Sequence, residues 1–217
     1  NNLDLEMWRS VVESEAVTHA FLVPTVLYRL LELQRAQPRD LSSLKTIIYG
    51  AAPMSPAKLQ DLIECFGSVF VQGYGATEAT MIVSLLGKND HRTDGAAALK
   101  RLASAGRVTP GVEVFICDDQ GNELPVGETG EIRIRCRAVV NGYYRNPEQS
   151  AAEFVDGAWR SGDLGYIDEG GYLFIVDRMK DMIISGGFNI YAVEVEAALA
   201  SHPAVLMSAV VGAPHVE

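Results

Sequence analysis

The amino-acid sequence predicts a parallel β/α segment, then an antiparallel, barrel-like β subdomain, then the start of a small α+β lobe. Three observations carry this reading. Two capped amphipathic stretches separate three short apolar runs in the first third of the chain. From Gly111 onward, short strand-like runs alternate with turn residues. Beyond Asp177-Arg178 the style changes again, to a Gly-Gly turn followed by a helical stretch.

Val17 to Val23 is a compact apolar run of the kind buried strands use. Pro24 suits the first turn of a helix, Leu27, Leu30, Leu31 and Gln34 follow at helical spacing, and Gln37-Pro38 stops it. Lys45 to Tyr49 is the second strand. Ser55-Pro56 reads as N-cap and first helical residue, Leu59, Leu62, Ile63 and Phe66 line one face, and Gly67 ends the helix. Cys65 on this helix is assigned to the core. Ser68 to Gln72 is the third strand. The order βαβαβ makes the three strands parallel and covered on both faces. Residues His91 to Ala105, charged and alanine-rich, read as a surface connection.

In the second half, Val112 to Cys117 and Glu131 to Arg137 are strands flanking two turn clusters, Asp118 to Asn122 and Pro125-Val126-Gly127. Tyr166-Ile167 and Tyr172 to Val176 flank Asp168-Glu169-Gly170-Gly171, a hairpin signature. Then come a strand at Met182 to Ile184, a helix from about Val193 to Ser201, and a last strand at Leu206 to Val211.

Composition narrows the function classes. With 217 residues, 48% of them hydrophobic and 21% charged, the chain suits one large or two small globular domains and excludes general disorder. A net charge of −10 argues against a nucleic-acid partner. It leaves room for phosphate ligands, which backbone amides and a few cations can hold in an acidic protein. Cys65, Cys117 and Cys136 match no metal-ligand spacing, and their odd number reads as reduced thiols in a cytoplasmic protein. No apolar run approaches the ~20 residues of a membrane span. His19, His91, His202 and His215 share no motif and read as structural or surface residues. The sequence starts at Asn1-Asn2 and stops just after an apolar run, which reads as a piece of a longer protein.

Ligands of parallel sheets bind outside the carboxyl ends of the strands. Two loops fall there: Gly50-Ala51-Ala52-Pro53 and Gly73-Tyr74-Gly75-Ala76-Thr77-Glu78. Glycines around Tyr74 free one ring face for a planar base, Thr77 offers a hydroxyl to a phosphate, and Glu78 offers a carboxylate to Mg²⁺. A plain glycine-rich turn with a buried tyrosine remains open. Ser161-Gly162-Asp163 sets an aspartate on a tight turn, able to accept ribose hydroxyls or merely to cap backbone amides. Arg178, within Asp177-Arg178-Met179-Lys180-Asp181, can fork onto ribose or phosphate oxygens or simply be solvated. Ser185-Gly186-Gly187 lets a narrow ligand pass close to the backbone, or is only a hairpin turn.

These stretches, in this order and together with Tyr49, Gly127 to Ile132, Asn141 to Pro147 and Ile184 to Ile190, resemble the adenylate-forming (AMP-binding) superfamily. Acyl-CoA synthetases of the fatty-acid and coumarate-ligase type are the nearest likeness. The resemblance runs from about Thr18 to the end and implies an acid–thiol ligase, read here as a fragment. Residues 1–105 would be the later part of the α/β subdomain, 106–177 the antiparallel subdomain, and 178–217 the beginning of a mobile C-terminal domain. Gly50, Ala51, Ala52 and Pro53 would sandwich adenine with Tyr74, flanked by Gly73 and Gly75. Thr77 would meet a phosphate and Glu78 would hold Mg²⁺. Asp163 and Arg178 would take the ribose hydroxyls, Lys180 would be the hinge, and Ser185, Gly186 and Gly187 would border the CoA tunnel.

The partners implied are ATP, CoA and a small fatty or aromatic carboxylic acid, with Mg²⁺ as cofactor, fatty-acid metabolism as the setting and room for a homo-oligomer. The pattern departs from the family in places: Ser161 stands for the commoner threonine, Val108 and Ala192 for prolines. A Ser/Thr/Gly-rich phosphate loop with its lysine and the family's C-terminal lysine are not among these residues, so residues 1–217 alone are expected to be inactive. Two competing readings remain. One is an adenylation domain that loads a carrier protein; the other is a nucleotide-binding module without chemistry.

Overall fold

The computed structural model describes residues 3–213 apart from residues 81, 187 and 203. Two compact units divide the chain. The first holds Asn1–Gly73 with Leu86–Ala103, and the second holds Tyr74–Leu85 with Ser104–Glu217.

The first unit opens with a helix the sequence reading did not anticipate, α1 (Leu5–Ser14). Its Asp4 N-cap accepts hydrogen bonds from the amides of Glu6 and Met7, both at 3.0 Å. Then follow β1 (His19–Leu22), α2 (Pro24–Ala36), β2 (Thr46–Gly50), α3 (Pro56–Phe66) and β3 (Phe70–Tyr74). As expected, β1, β2 and β3 are parallel, with Ala20 opposite Ile47 and Ile47 opposite Phe70. Leu22, Leu27, Leu30, Leu31, Ile47, Leu59, Leu62 and Phe70 form the centre of the core. Arg9 of α1 is fully buried, and its guanidinium donates to the carbonyls of Leu33 and Gln37 and to Gln34 Oε1 at the end of α2. A cation there adds to the Gln37 amide already on the Leu33 carbonyl, gives the Gln37 carbonyl a donor and complements the helix dipole.

Two expectations need correction in this unit, while the Ser55-Pro56 helix start holds. Residues 91–105 are not merely a surface connection. After β4 (Ser84–Leu86) comes α4 (Ala96–Leu102), which buries Ala98 and Leu102 one turn apart, and His91 before it is buried too. Cys65 is exposed. At roughly 100° per residue it lies about 110° from the centre of the Leu59–Phe66 stripe. Ser55 does stand at the N-cap of α3, but its hydroxyl makes no capping bond. Its amide donates instead to the Tyr28 hydroxyl at 2.9 Å.

The second unit is antiparallel. β4 pairs with β5 (Arg107–Val108), Ser84 opposite Val108. A larger sheet has the order β10-β9-β7-β6, built from β6 (Val112–Cys117), β7 (Gly130–Cys136), β9 (Ala158–Ile167) and β10 (Leu173–Arg178). Ahead of β9, α5 (Pro147–Glu153) runs into β8 (Phe154–Val155), which pairs with β9. The expected barrel-like closure is absent: this sheet is an open path with β6 and β10 at its ends. Ile116, Ile132, Ile134, Trp159 and Leu173 fill one side of it. β11 (Ile183–Ser185) and β12 (Phe188–Ile190) form a hairpin, and α6 (Ala192–Ala200) follows. The expected last strand at Leu206 to Val211 does not form. A strand needs a neighbour to satisfy its amides, and none pairs with this segment among the described residues.

Candidate active site

β2 and β3 end side by side, with Gly50 opposite Gly73. A Cβ on Gly50 would lie 2.3 Å from the Gly73 carbonyl oxygen, so only glycine lets the two strand ends meet this closely. The chain then turns sharply: Ala51 takes φ +65°, a left-handed conformation strained for a residue with a side chain, and residues 51–53 are exposed. Both expected loops therefore leave the carboxyl ends of adjacent parallel strands.

Within the second unit Tyr74, one of the expected base residues, meets the expected ribose residues Asp163 and Arg178. Glu131 pairs with Leu164 and Arg133 with Arg160, so Ser161, Gly162 and Asp163 stand opposite the single residue Ile132. This is a bulge inside β9, not the tight turn the sequence suggested. Gly162 supplies φ +70°, and the Ser161 hydroxyl donates to the Ile132 carbonyl at 2.7 Å while accepting the Asp163 amide at 3.1 Å. Bulges of this kind re-aim a side chain. Here the re-aimed carboxylate accepts the Tyr74 hydroxyl at 2.7 Å, and Arg178, its partner across β9 and β10, places Nε 3.4 Å from the other oxygen. Burial pushes the Asp163 pKa up; the Tyr74 hydrogen bond, Arg178 and Lys180 oppose this without overcoming it. Arg178 is 62% exposed, so water screens most of its pull. Burial, then the Asp163 charge, raises the Tyr74 pKa and keeps its hydroxyl a neutral donor.

The expected phosphate and metal residues form a second cluster. Thr77 to Ala79 make one 3-10 turn, closed by Thr80 in a left-handed conformation at φ +48°. Gly75, Ala76, Thr77 and Thr80 line an open surface depression. Glu78 Oε1 accepts the Tyr143 hydroxyl at 3.0 Å, and the same hydroxyl lies 2.5 Å from Glu153 Oε2. Burial raises the Tyr143 pKa, and the hydrogen bonds to Glu153 and then Glu78 raise it further. Burial also pushes Glu153 upward, but hydrogen bonds from Tyr143, Gln149 and Trp159, with the Arg160 charge, outweigh it and leave its pKa lowered.

No ion pair reaches Glu78 among the described residues, and its second oxygen takes no hydrogen bond there. No group of three or more His, Cys, Asp or Glu is placed to hold a metal among the described residues. A carboxylate that carries no ion pair and follows the depression's Thr77 in sequence fits Mg²⁺, which binds through one or two carboxylates together with substrate phosphates. It does not fit a metal held by protein ligands alone.

The remaining predicted residues make no hydrogen bond to these clusters among the described residues, though the Lys180 charge reaches Asp163. Lys180 is exposed in the turn after β10, and Ser185 and Gly186 are exposed in the β11–β12 hairpin, Gly186 at φ +58°. Gly187 and His215 lie outside the described residues. The buried Asp177 accepts the amides of Arg178 at 2.8 Å and of Ala192, the first residue of α6, at 2.6 Å. Tyr143, Glu153 and Asp177 were not singled out as site residues from the sequence. Tyr143 sits 65 residues from Glu78, and the only signal for it is its place in the matched stretch Asn141 to Pro147.

Comparisons with known proteins bear on the chain as a whole. A family model described as "AMP-binding enzyme" matches residues 1–144. The chain is 42% identical over 204 residues to a medium/long-chain-fatty-acid–CoA ligase, FadD8, of Mycobacterium tuberculosis, covering 94% of this chain and 35% of that protein. It is also 42% identical over 205 residues to a feruloyl-CoA synthase of an Amycolatopsis species, covering 94% of this chain and 40% of that protein. Among solved structures, the amide bond synthetase McbA of Marinactinospora thermotolerans superposes with a TM-score of 0.89 at 38% identity, over 99% of this chain and 43% of that one. The chain thus spans well under half the length of these relatives.

Proposed function

Because the chain belongs to the AMP-binding enzyme family, we propose that the protein carrying it activates a carboxylic acid with ATP and passes the acyl group to CoA. In the first step a carboxylate oxygen attacks the α-phosphorus of ATP, and the bond to pyrophosphate breaks. In the second a thiol attacks the acyl carbon, loses its proton, and AMP leaves. The observation that carries this reading is the cluster that Tyr74 and Arg178 form around Asp163 of the β9 bulge. A half-buried carboxylate with a neutral donor and an exposed cation beside it suits a polar, uncharged diol such as a ribose.

The other roles follow the same reading. Tyr74 and the Gly50 to Pro53 loop contact the base, and Thr77 donates to a phosphate oxygen. Glu78 is the residue that would hold Mg²⁺, whose chemistry there is to neutralise phosphate charge. Lys180 is the hinge to the segment beyond β10, and Ser185, Gly186 and Gly187 border the path of the CoA arm. These residues position and neutralise rather than react. Residues 1–217 alone do not turn over on this account.

The acid stays fatty or aromatic: two relatives at equal identity are named for one and the other. McbA's description as an amide bond synthetase favours keeping an amine as an alternative acceptor. The test is acid-dependent AMP release by the full-length protein against fatty and aromatic acids, with CoA present or replaced by amines. Mg²⁺-dependent exchange of pyrophosphate into ATP that needs no acid, or none at all, would overturn the proposal. AMP release that amines support and CoA does not would move the acceptor to the amine.

A further inference from the structure

The stretch Asn141 to Pro147 matches the family pattern without an assigned chemical task. Its Tyr143 hydroxyl lies between two carboxylates, 3.0 Å from Glu78 Oε1 and 2.5 Å from Glu153 Oε2. Everything around that hydroxyl is itself anchored. Glu153 accepts Trp159 Nε1 on one oxygen and Gln149 Nε2 on the other. The Tyr143 ring packs edge-on against Phe154 with centroids 5.4 Å apart. Its amide donates to the Ser150 hydroxyl at 2.8 Å, and a Cβ on Gly142 would meet that same hydroxyl at 2.8 Å, so α5 and the loop before it fit only with glycine there. The backbone repeats the link, Val140 donating to the Glu78 carbonyl at 2.8 Å and the Thr80 hydroxyl to the Ala138 carbonyl at 2.8 Å.

We infer that Tyr143 is a positioning residue for Glu78: its hydroxyl, fixed by Glu153, holds Oε1 so that Oε2 is the oxygen presented to a divalent cation. A hydroxyl has one proton and two carboxylates compete for it here. Glu153 sets where the tyrosine oxygen stands, and whatever share of the proton Glu78 receives fixes its rotamer. A glutamate carries three side-chain torsions, so an unanchored Glu78 must lose that freedom each time a cation binds. The inference rests on reading Glu78 as the metal carboxylate.

The test uses the full-length protein and two variants. In Tyr143→Phe the ring and its packing stay and only the anchor goes. The Mg²⁺ concentration giving half-maximal pyrophosphate exchange should rise about three- to tenfold, the scale of one lost hydrogen bond, while kcat at saturating Mg²⁺ stays within about twofold. Mn²⁺ binding in the presence of ATP without acid, followed by electron paramagnetic resonance, should weaken by the same factor, and AMP binding without metal should be unchanged. In Glu153→Gln an acceptor remains and the competing charge is gone, so the hydroxyl serves Glu78 at least as well and Mn²⁺ affinity should match the parent or exceed it. An unchanged metal dependence in Tyr143→Phe overturns the inference. So does a Glu153→Gln protein that loses Mn²⁺ affinity, since that would make the Glu153 charge, not the hydrogen bond, the support for the cation; this second variant decides alone if Tyr143→Phe does not fold. A parent protein without Mg²⁺-dependent exchange would instead overturn the proposed function.

Discussion

Two carboxylates in the second unit each accept a hydrogen bond from a tyrosine hydroxyl, Asp163 from Tyr74 at 2.7 Å and Glu78 from Tyr143 at 3.0 Å. Their second neighbours differ in sign. Beside Asp163 stands Arg178, whereas the hydroxyl on Glu78 is shared with a second carboxylate, Glu153. The first cluster is therefore charge-compensated and suited to neutral hydroxyl groups. The second carries negative charge that the described residues do not neutralise at Glu78, which favours a cation arriving with its own phosphates. On the proposed function the same tyrosine–carboxylate pairing would serve opposite ends of a nucleotide, with the third neighbour deciding which.

The largest expected effect comes from removing the uncompensated charge. Glu78→Gln should lower the full-length protein's rate of acyl-adenylate formation by about 10²–10³-fold, the scale of losing one electrostatic contact to a charge-developing centre. Stopped-flow measurement of pyrophosphate release would show it, and a rate within twofold of the parent would place the cation elsewhere. Asp163→Ala should weaken AMP binding by roughly 1.5–3 kcal/mol, the range for hydrogen bonds to a charged group. Calorimetry with unchanged affinity would remove Asp163 from the ribose site.

A pH profile sharpens the contrast further. Burial already holds the Asp163 pKa above its ordinary value, and the Tyr74 hydroxyl pulls it down. Nucleotide binding that requires the ionised carboxylate falls away as pH drops through that raised pKa. Tyr74→Phe removes a lowering contribution, so the acid limb of AMP binding should move to higher pH. A limb that moves down or stays put would mean that another group controls it.

Asp177 supplies a control, a buried carboxylate whose neighbours are backbone amides. Ala192→Pro deletes one of them at a helix position proline tolerates well. The lost bond and the stiffer unfolded chain partly cancel, so denaturant melts should show a destabilisation of about 1 kcal/mol or less. AMP affinity should not change.

The parallel strands, the helices between them and the hairpin at Asp168 to Gly171 were legible because each rests on local signals: apolar runs, caps and turn residues. α1 was not, because its buried face is Leu5, Arg9 and Val12, and an arginine in the middle breaks the apolar period. α4 buries only Ala98 and Leu102 and leaves no stripe to read. Asp163 was found as a candidate but placed on a turn. The bulge that holds it depends on pairing with Ile132 of β7, about which the local sequence carries nothing. Tyr143 and Glu153 escaped for the same reason. The task proposed for them exists only through the contact of Tyr143 with Glu78 many residues away, and a tyrosine and a glutamate near the start and end of a short helix look ordinary alone.

The central claim is that Asp163 and Glu78 divide the nucleotide between them, the sugar to one and the metal-bound phosphates to the other. The direct measurement is calorimetry of AMP and ATP binding to full-length Asp163→Ala and Glu78→Gln proteins, each across a range of Mg²⁺ concentrations. The account predicts that Asp163→Ala loses the same factor for AMP and ATP at every Mg²⁺ concentration, while Glu78→Gln binds AMP like the parent and loses only the gain that Mg²⁺ brings to ATP. If Asp163→Ala instead weakened only the Mg²⁺-dependent part, or Glu78→Gln lost AMP affinity without metal, the division of roles would be wrong.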